Sequence, residues 1–238
     1  MGEHDNNRIT RTSGMNTWRA GCGESRTSGS EGGPEKPTHR KMDRALRSDP
    51  YTPIECGRSR PTAKRSNLAD WAGYGYCASH SRYFWGLRLH VVCTPTGLPI
   101  TFALTNPKVD ERDVAIDMFE AEPALLAGRH GQTIIADKGY ASAEFERRLA
   151  EHGVELVRPA RANEPRRRGA PQLRRLRQII ESVNNTLKAQ LSLEDHGGHT
   201  AQGVTVRILQ RLLALTAAIW HNHHSHQPVL RSLTAYDH

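Results

Sequence analysis

Asp137 closes a short apolar run, Thr133-Ile134-Ile135-Ala136, and is followed by Lys138-Gly139-Tyr140. Such a run reads as a buried strand that delivers one carboxylate to its C-terminal end. Glu181 lies in a later segment with Arg177 and Lys188, spaced R-x3-E-x6-K. Steps of four and seven place these three side chains on one helix face. A strand-end acid and a helix acid, each beside basic residues, make a seat for a hard divalent cation. Mg2+ is held by one or two carboxylates together with substrate phosphate oxygens. A pair of such ions drives in-line phosphoryl displacement.

The elements that must position these acids emerge from periodicity and turn signals. A first strand is expected near Tyr51–Glu55, then an Arg/Lys-rich loop to about Ala78. Tyr83–Cys93 reads as a long second strand, Thr94–Gly97 as a turn, and Leu98–Leu104 as the third strand of a hairpin. A helix is expected over Glu111–Leu126, with Pro123 near its end, then strand Thr133–Asp137, helix Ala141–His152 and strand Val154–Arg158. Helices over Leu173–Leu191 and Val204–Asn222 complete the chain. This alternation alone implies α/β or α+β.

The Leu173–Leu191 helix carries two stripes. Leu173, Leu176, Ile180, Val183 and Leu187 form the apolar one. Arg177, Glu181, Asn184 and Lys188 repeat the same steps one residue later, at the edge of the core. Spacing by itself is equally that of an ordinary surface Arg–Glu pair, worth a few tenths of a kcal/mol. In the last helix Val206, Leu209, Leu213 and Ile219 are expected to pack on the sheet, with Trp220 in the core. Asp110, Glu111 and Asp113 read as solvated acids of a first helical turn.

The chain has 238 residues, a formal charge of +8 and a sequence pI of about 9.6. That length allows one good-sized domain plus tails, and the charge favours a polyanionic partner. Arg161, Arg166, Arg167, Arg168, Arg174 and Arg175 lead directly into the helix of Arg177, and a second cluster runs from Arg58 and Arg60 to Lys64 and Arg65. Contact with phosphates is expected of the first cluster, sensitive to salt and indifferent to sequence. Cys22, Cys56, Cys77 and Cys93 show no C-x2-C spacing, so free thiols in a reducing cytoplasm are expected. His221, His223, His224 and His226 match no structural zinc pattern and read as a polar helix end. No stretch reads as a membrane span.

Several segments together carry a family resemblance. These are T-P-I-E-C-G-R-S-R at 52–60, G-Y-C-A-S-H-S-R-Y-F-W-G-L-R-L-H at 75–90, A-D-K-G-Y at 136–140, R-Q-I-I-E-S-V-N-N-T-L-K at 177–188, A-A-I-W-H-N at 217–222 and R-S-L-T-A-Y-D-H at 231–238. From about Thr52 onward the chain resembles the DDE transposases of bacterial insertion sequences. The resemblance implies a ribonuclease-H-like mixed sheet flanked by helices, within a catalytic domain over 48–238. It implies three acids holding two Mg2+ (or Mn2+) ions, with Asp137 as the second acid and Glu181 as the third. It implies strand cleavage and transfer on transposon-end and target DNA, a cytoplasmic, nucleoid-associated protein and no membrane; a homodimer is compatible with it. Arg177, Lys188, Lys138, Arg166, Arg167, Arg168, Arg174 and Arg175 are then the candidate DNA contacts. The carboxylates of Asp137 and Glu181 are expected within about 8 Å of each other, near enough for shared or neighbouring ions.

The chain departs from the family's pattern at the first acid. The family places Asp two residues ahead of the T-P-x-E-C threonine, where this sequence has Pro50. Asp49 stands one residue early, and a one-residue slip turns a strand side chain to the opposite face. A bulge restores Asp49 to the site; without one, the first acid is lost. Residues 1–47 are rich in Gly, Ser and Arg and lack periodicity, so a disordered or non-native tail is expected there. A shifted reading frame or wrong start would account for both departures, and an N-terminally truncated transposase is then expected. Two alternatives stand beside an active enzyme: a catalytically dead DNA-binding remnant and a ribonuclease-H-like nuclease without strand transfer.

Overall fold

The computed structural model describes residues 52–77, 81–126, 132–165, 167 and 170–233. The expected tail over 1–47 and Asp49 lie outside these residues, as do Arg166 and Arg168. The described chain is mixed α/β, with strands in sheets flanked by helices. Strand β1 covers Thr52–Gly57, helix α1 Arg60–Arg65, β2 Gly73–Cys77, β3 Arg82–Cys93 and β4 Pro99–Thr105. Helix α2 spans Glu111–Ala121, β5 Gln132–Ile135, α3 Ala143–Glu151, β6 Val154–Val157, α4 Ala170–Asn185 and α5 Ala201–His224.

Strand β3 organises the first sheet. At twelve residues it is long enough to pair antiparallel with β2 through its first half and with β4 through its second, while β1 lies along its other edge. Thr52 stands opposite Leu89 and Ile54 opposite Leu87, all four side chains buried. A bulge between Glu55 and Gly57 ends the regular pairing of β1. The β3–β4 turn closes with Gly97 at φ +90°, a left-handed conformation that glycine adopts without Cβ strain. Strands β5 and β6 form a separate parallel pair joined through α3.

The Arg/Lys-rich segment after β1 is not all loop, as the sequence suggests, since it contains α1 and β2. Ser59 caps α1, accepting from the Thr62 amide, and Pro61 stands in the first turn, where a missing N–H costs nothing. Strand β5 is buried on one side only, against the expectation of a buried strand. Ile134 packs with Phe145, Leu149 and Leu156, while Ile135 is exposed. A two-stranded sheet has too little cover to enclose both faces.

The main core joins β1 and β3 to α4 and α5 through Ile54, Leu87, Leu89, Val183, Leu187, Ile208 and Leu215. The apolar stripe of α4 is buried only in its second half; Ile180 is exposed. Helix α5 is long and apolar enough to cross a membrane by length and composition, contrary to the sequence reading. Here it packs Val204, Ile208, Leu212, Leu215 and Ile219 against the core. Ile219 is buried as expected, but over the first part of the helix the buried stripe is a different one, leaving Val206 and Leu213 exposed, because both phases there are apolar. Trp220 is likewise outside the core and stacks on His224.

Candidate active site

The C-terminal end of β5 turns sharply at Asp137. Its carboxylate accepts from the Gly139 amide at 2.6 Å and caps a 3-10 turn over Lys138–Tyr140. This fixes the side chain at the strand end, where acids of parallel α/β units gather. Burial raises the Asp137 carboxyl above its ordinary range, against the opposing pull of the Gly139 and Tyr140 amides and the charges of Arg177 and Lys138.

A second acid stands beside it that the sequence does not single out. Glu111 opens α2, and its position alone suggests a solvated helix-start acid. The structure half-buries it and sets its Oε1 2.6 Å from the position a Cβ on Gly139 would take, with Asp137 Oδ1 2.9 Å from that same position. Burial, then the charge of Asp137, raise the Glu111 carboxyl; Arg88 on β3 pulls it back. Tyr140 is raised by burial and by the same two acids. A like-charged pair held away from water is a configuration that a cation relieves. The only sequence signal for Glu111 is its place directly after a helix-cap aspartate, which many inert helix starts share.

Helix α4 brings the third element. Arg177 Nε donates to Glu181 Oε1 at 3.0 Å, and both side chains remain partly open to solvent. As a surface i,i+4 pair this contributes only a few tenths of a kcal/mol. Its placement matters more than its strength. Arg177 acts on Asp137 at one end of the stripe, while Asn184, one turn beyond Glu181, accepts from the Thr52 hydroxyl at 3.3 Å. The edge of α4 therefore touches the field of β5 and the start of β1, and Glu181 sits between those contacts.

Lys188 lies in a stretch of altered winding. The helix changes to i+5 spacing over Thr186–Gln190, where the Leu191 amide donates to Thr186 O at 3.0 Å. Lys188 then pairs with Glu194 at 3.6 Å. Of the other basic residues, Arg174, Arg175 and Lys138 are exposed. Arg167 is bound to Glu146 at 2.9 Å. The same glutamate meets the buried Arg158, which also forks onto Glu164. This ion cluster, built around the buried Arg158, ties the segment after β6 to α3.

The oxygen donors of Asp137 and Glu111 suit a hard divalent cation. Among the described residues no three His, Cys, Asp or Glu side chains gather closely enough to form a complete metal site. Mg2+ at such a place would draw its remaining ligands from water, substrate phosphate or a residue outside those described.

The scaffold is mixed α/β, with Asp137 at a strand end within the field of Arg177 of α4. The family described as Transposase DDE domain matches residues 51–217, and the chain belongs to it. That family is one of transposase enzymes acting on DNA. No curated protein matches the chain.

Proposed function

We propose that this chain is an insertion-sequence transposase whose site is built from Asp137 and Glu181, with Asp49 as the first acid, and which binds transposon-end DNA for Mg2+-dependent cleavage and transfer. The observation that carries the reading is the α4 edge, on which Glu181 lies between Arg177, whose charge acts on Asp137, and Asn184, tied to Thr52 of β1.

These carboxylates would hold a divalent ion, whose chemistry would be to activate a water or 3′-hydroxyl and to stabilise the oxygen leaving phosphorus. Asp137 is pre-oriented by the Gly139 amide, so it needs no rearrangement to offer an oxygen. Arg177 bonds Glu181 at 3.0 Å and carries a charge that suits a phosphate. Lys138, Arg174 and Arg175, all exposed, suit the flanking backbone. The bond broken is a phosphodiester P–O bond; the transfer step forms a new one to the incoming 3′-oxygen.

The test is Mg2+-dependent nicking of a labelled insertion-sequence end by the parent, Asp137→Asn and Glu181→Gln. Both variants should lose nicking by several orders of magnitude and keep DNA affinity. Unchanged nicking in either would remove that residue from the site. One observation favours a second reading, a DNA-binding remnant without catalysis: the described acids do not close into a three-ligand metal site. A parent that binds the end yet nicks no faster than Asp137→Asn would establish it.

A further inference from the structure

The segment between β1 and β3 plays no part in the proposed metal site, yet it builds a second surface. Tyr74 stands opposite Trp85 and Tyr76 opposite Tyr83 in the β2–β3 ribbon. Directly paired residues share a face, so the four rings lie on one side of the sheet. Tyr74 is 52% exposed and Tyr83 77%, while Trp85 is buried beneath α1. Tyr76 and Tyr83 pack edge to face with centroids 5.1 Å apart. Between α1 and the ribbon lies a cavity of about 540 Å³ lined by Tyr74 and Trp85 on one side and by Arg60 and Lys64 on the other.

Exposed tyrosine rings offer flat faces on which a base can stack. The charge around them has one sign. No Asp or Glu occurs from Cys56 to Ala69, whereas Arg58, Arg60, Lys64 and Arg65 do. Glu55 is neutralised by Arg82 at 2.9 Å. Asp70 is the first acid beyond the cluster, next to Ala69 at the cavity wall. Aromatic faces interleaved with cations match the two halves of a nucleotide, base and phosphate. In a duplex the base faces are already stacked and would find no use for the tyrosines.

We propose that this groove and ribbon face bind unpaired DNA nucleotides, with bases stacked on Tyr74 and Tyr83 and phosphates against Arg60 and Lys64. The surface goes beyond the catalytic reading and stands whichever acids hold the metal.

The experiment uses the full chain and two dye-labelled probes, an oligothymidine of about 16 nucleotides and a mixed-sequence duplex of similar length, with fluorescence anisotropy read over a range of salt. Tyr74→Ala with Tyr83→Ala should weaken oligothymidine binding about tenfold or more, at the stacking strength usual per base, and leave duplex affinity within about twofold. Tyr83→Phe, which keeps the ring, should bind like the parent. Lys64→Gln should reduce the single-strand salt slope by about 0.7. The proposal is overturned if the parent does not bind oligothymidine, if the tyrosine variants lose both probes equally or neither, or if Tyr83→Phe is as weak as the alanine variant.

Discussion

Glu111 and Asp137 come from separate elements, and their carboxylate oxygens converge on one face of Gly139, 2.6 and 2.9 Å from where a methyl group would stand. The glycine of the D-K-G-Y turn is thereby explained. Its φ is not left-handed; what it provides is room for two acids.

Gly139→Ala should therefore act on the site more than on the fold. The added methyl displaces Glu111 and disturbs the 2.6 Å bond from the Gly139 amide to Asp137. The expected outcome is at least about a tenfold loss of Mn2+ affinity by calorimetry, near 1.4 kcal/mol, with a melting temperature lowered by only a few degrees. A large loss of stability with unchanged metal affinity would contradict this.

The charge of Asp137 raises the Glu111 carboxyl in addition to burial. Asp137→Asn removes that charge, so the Glu111 carboxyl should titrate at lower pH than in the parent. Carbon-13 NMR of the carboxyl resonance without metal checks it. An unchanged midpoint would mean that water or a counter-ion already screens the two acids.

His90 supplies the clearest pH dependence of stability. It is buried on β3, within 3.1 Å of the Thr105 hydroxyl, and burial together with Arg88 pushes it down to about 4 from 6.5. Its native pKa is depressed, so the unfolded chain takes up the proton first. Stability from this group is complete above 6.5 and is lost as the pH falls through 6.5 to about 4. The full effect is about 3 kcal/mol. Urea midpoints measured across that window should fall steeply for the parent and more gently for His90→Gln.

Replacing Pro50 by Asp and Tyr51 by Ser places D-S ahead of T-P-I-E-C, in register with the family's first acid. Mg2+-dependent cleavage should rise when an end-recognition segment is supplied. If the parent already cleaves as fast, Asp49 reaches the site unaided. If neither cleaves, the first acid is not the main loss.

The parts legible in the sequence are those with a strong period or a distinctive turn. The β3–β4 hairpin, Asp137 at its strand end and the Arg177–Glu181 pair all appear as read. Strand β2 is hidden because Gly73-Tyr74-Gly75-Tyr76 alternates glycine with tyrosine, and its aromatic face points outward. The phase of α5 is ambiguous because Val206 and Leu213 are as apolar as Ile208 and Leu215; only packing chooses between such stripes. Glu111 escapes notice because its value lies in an approach to Asp137 across many residues, which no local pattern encodes.

The i+5 segment at Thr186–Gln190 has a consequence for how basic residues are assigned along α4. In an uninterrupted α-helix, residues eleven apart, such as Arg177 and Lys188, return to nearly the same bearing. One widened turn alters the winding over Thr186–Gln190, yet Leu187 is still buried as the apolar stripe expects. Lys188, one residue on, spends its charge on Glu194 and steadies the junction leading to α5, while Arg177 stays with Glu181.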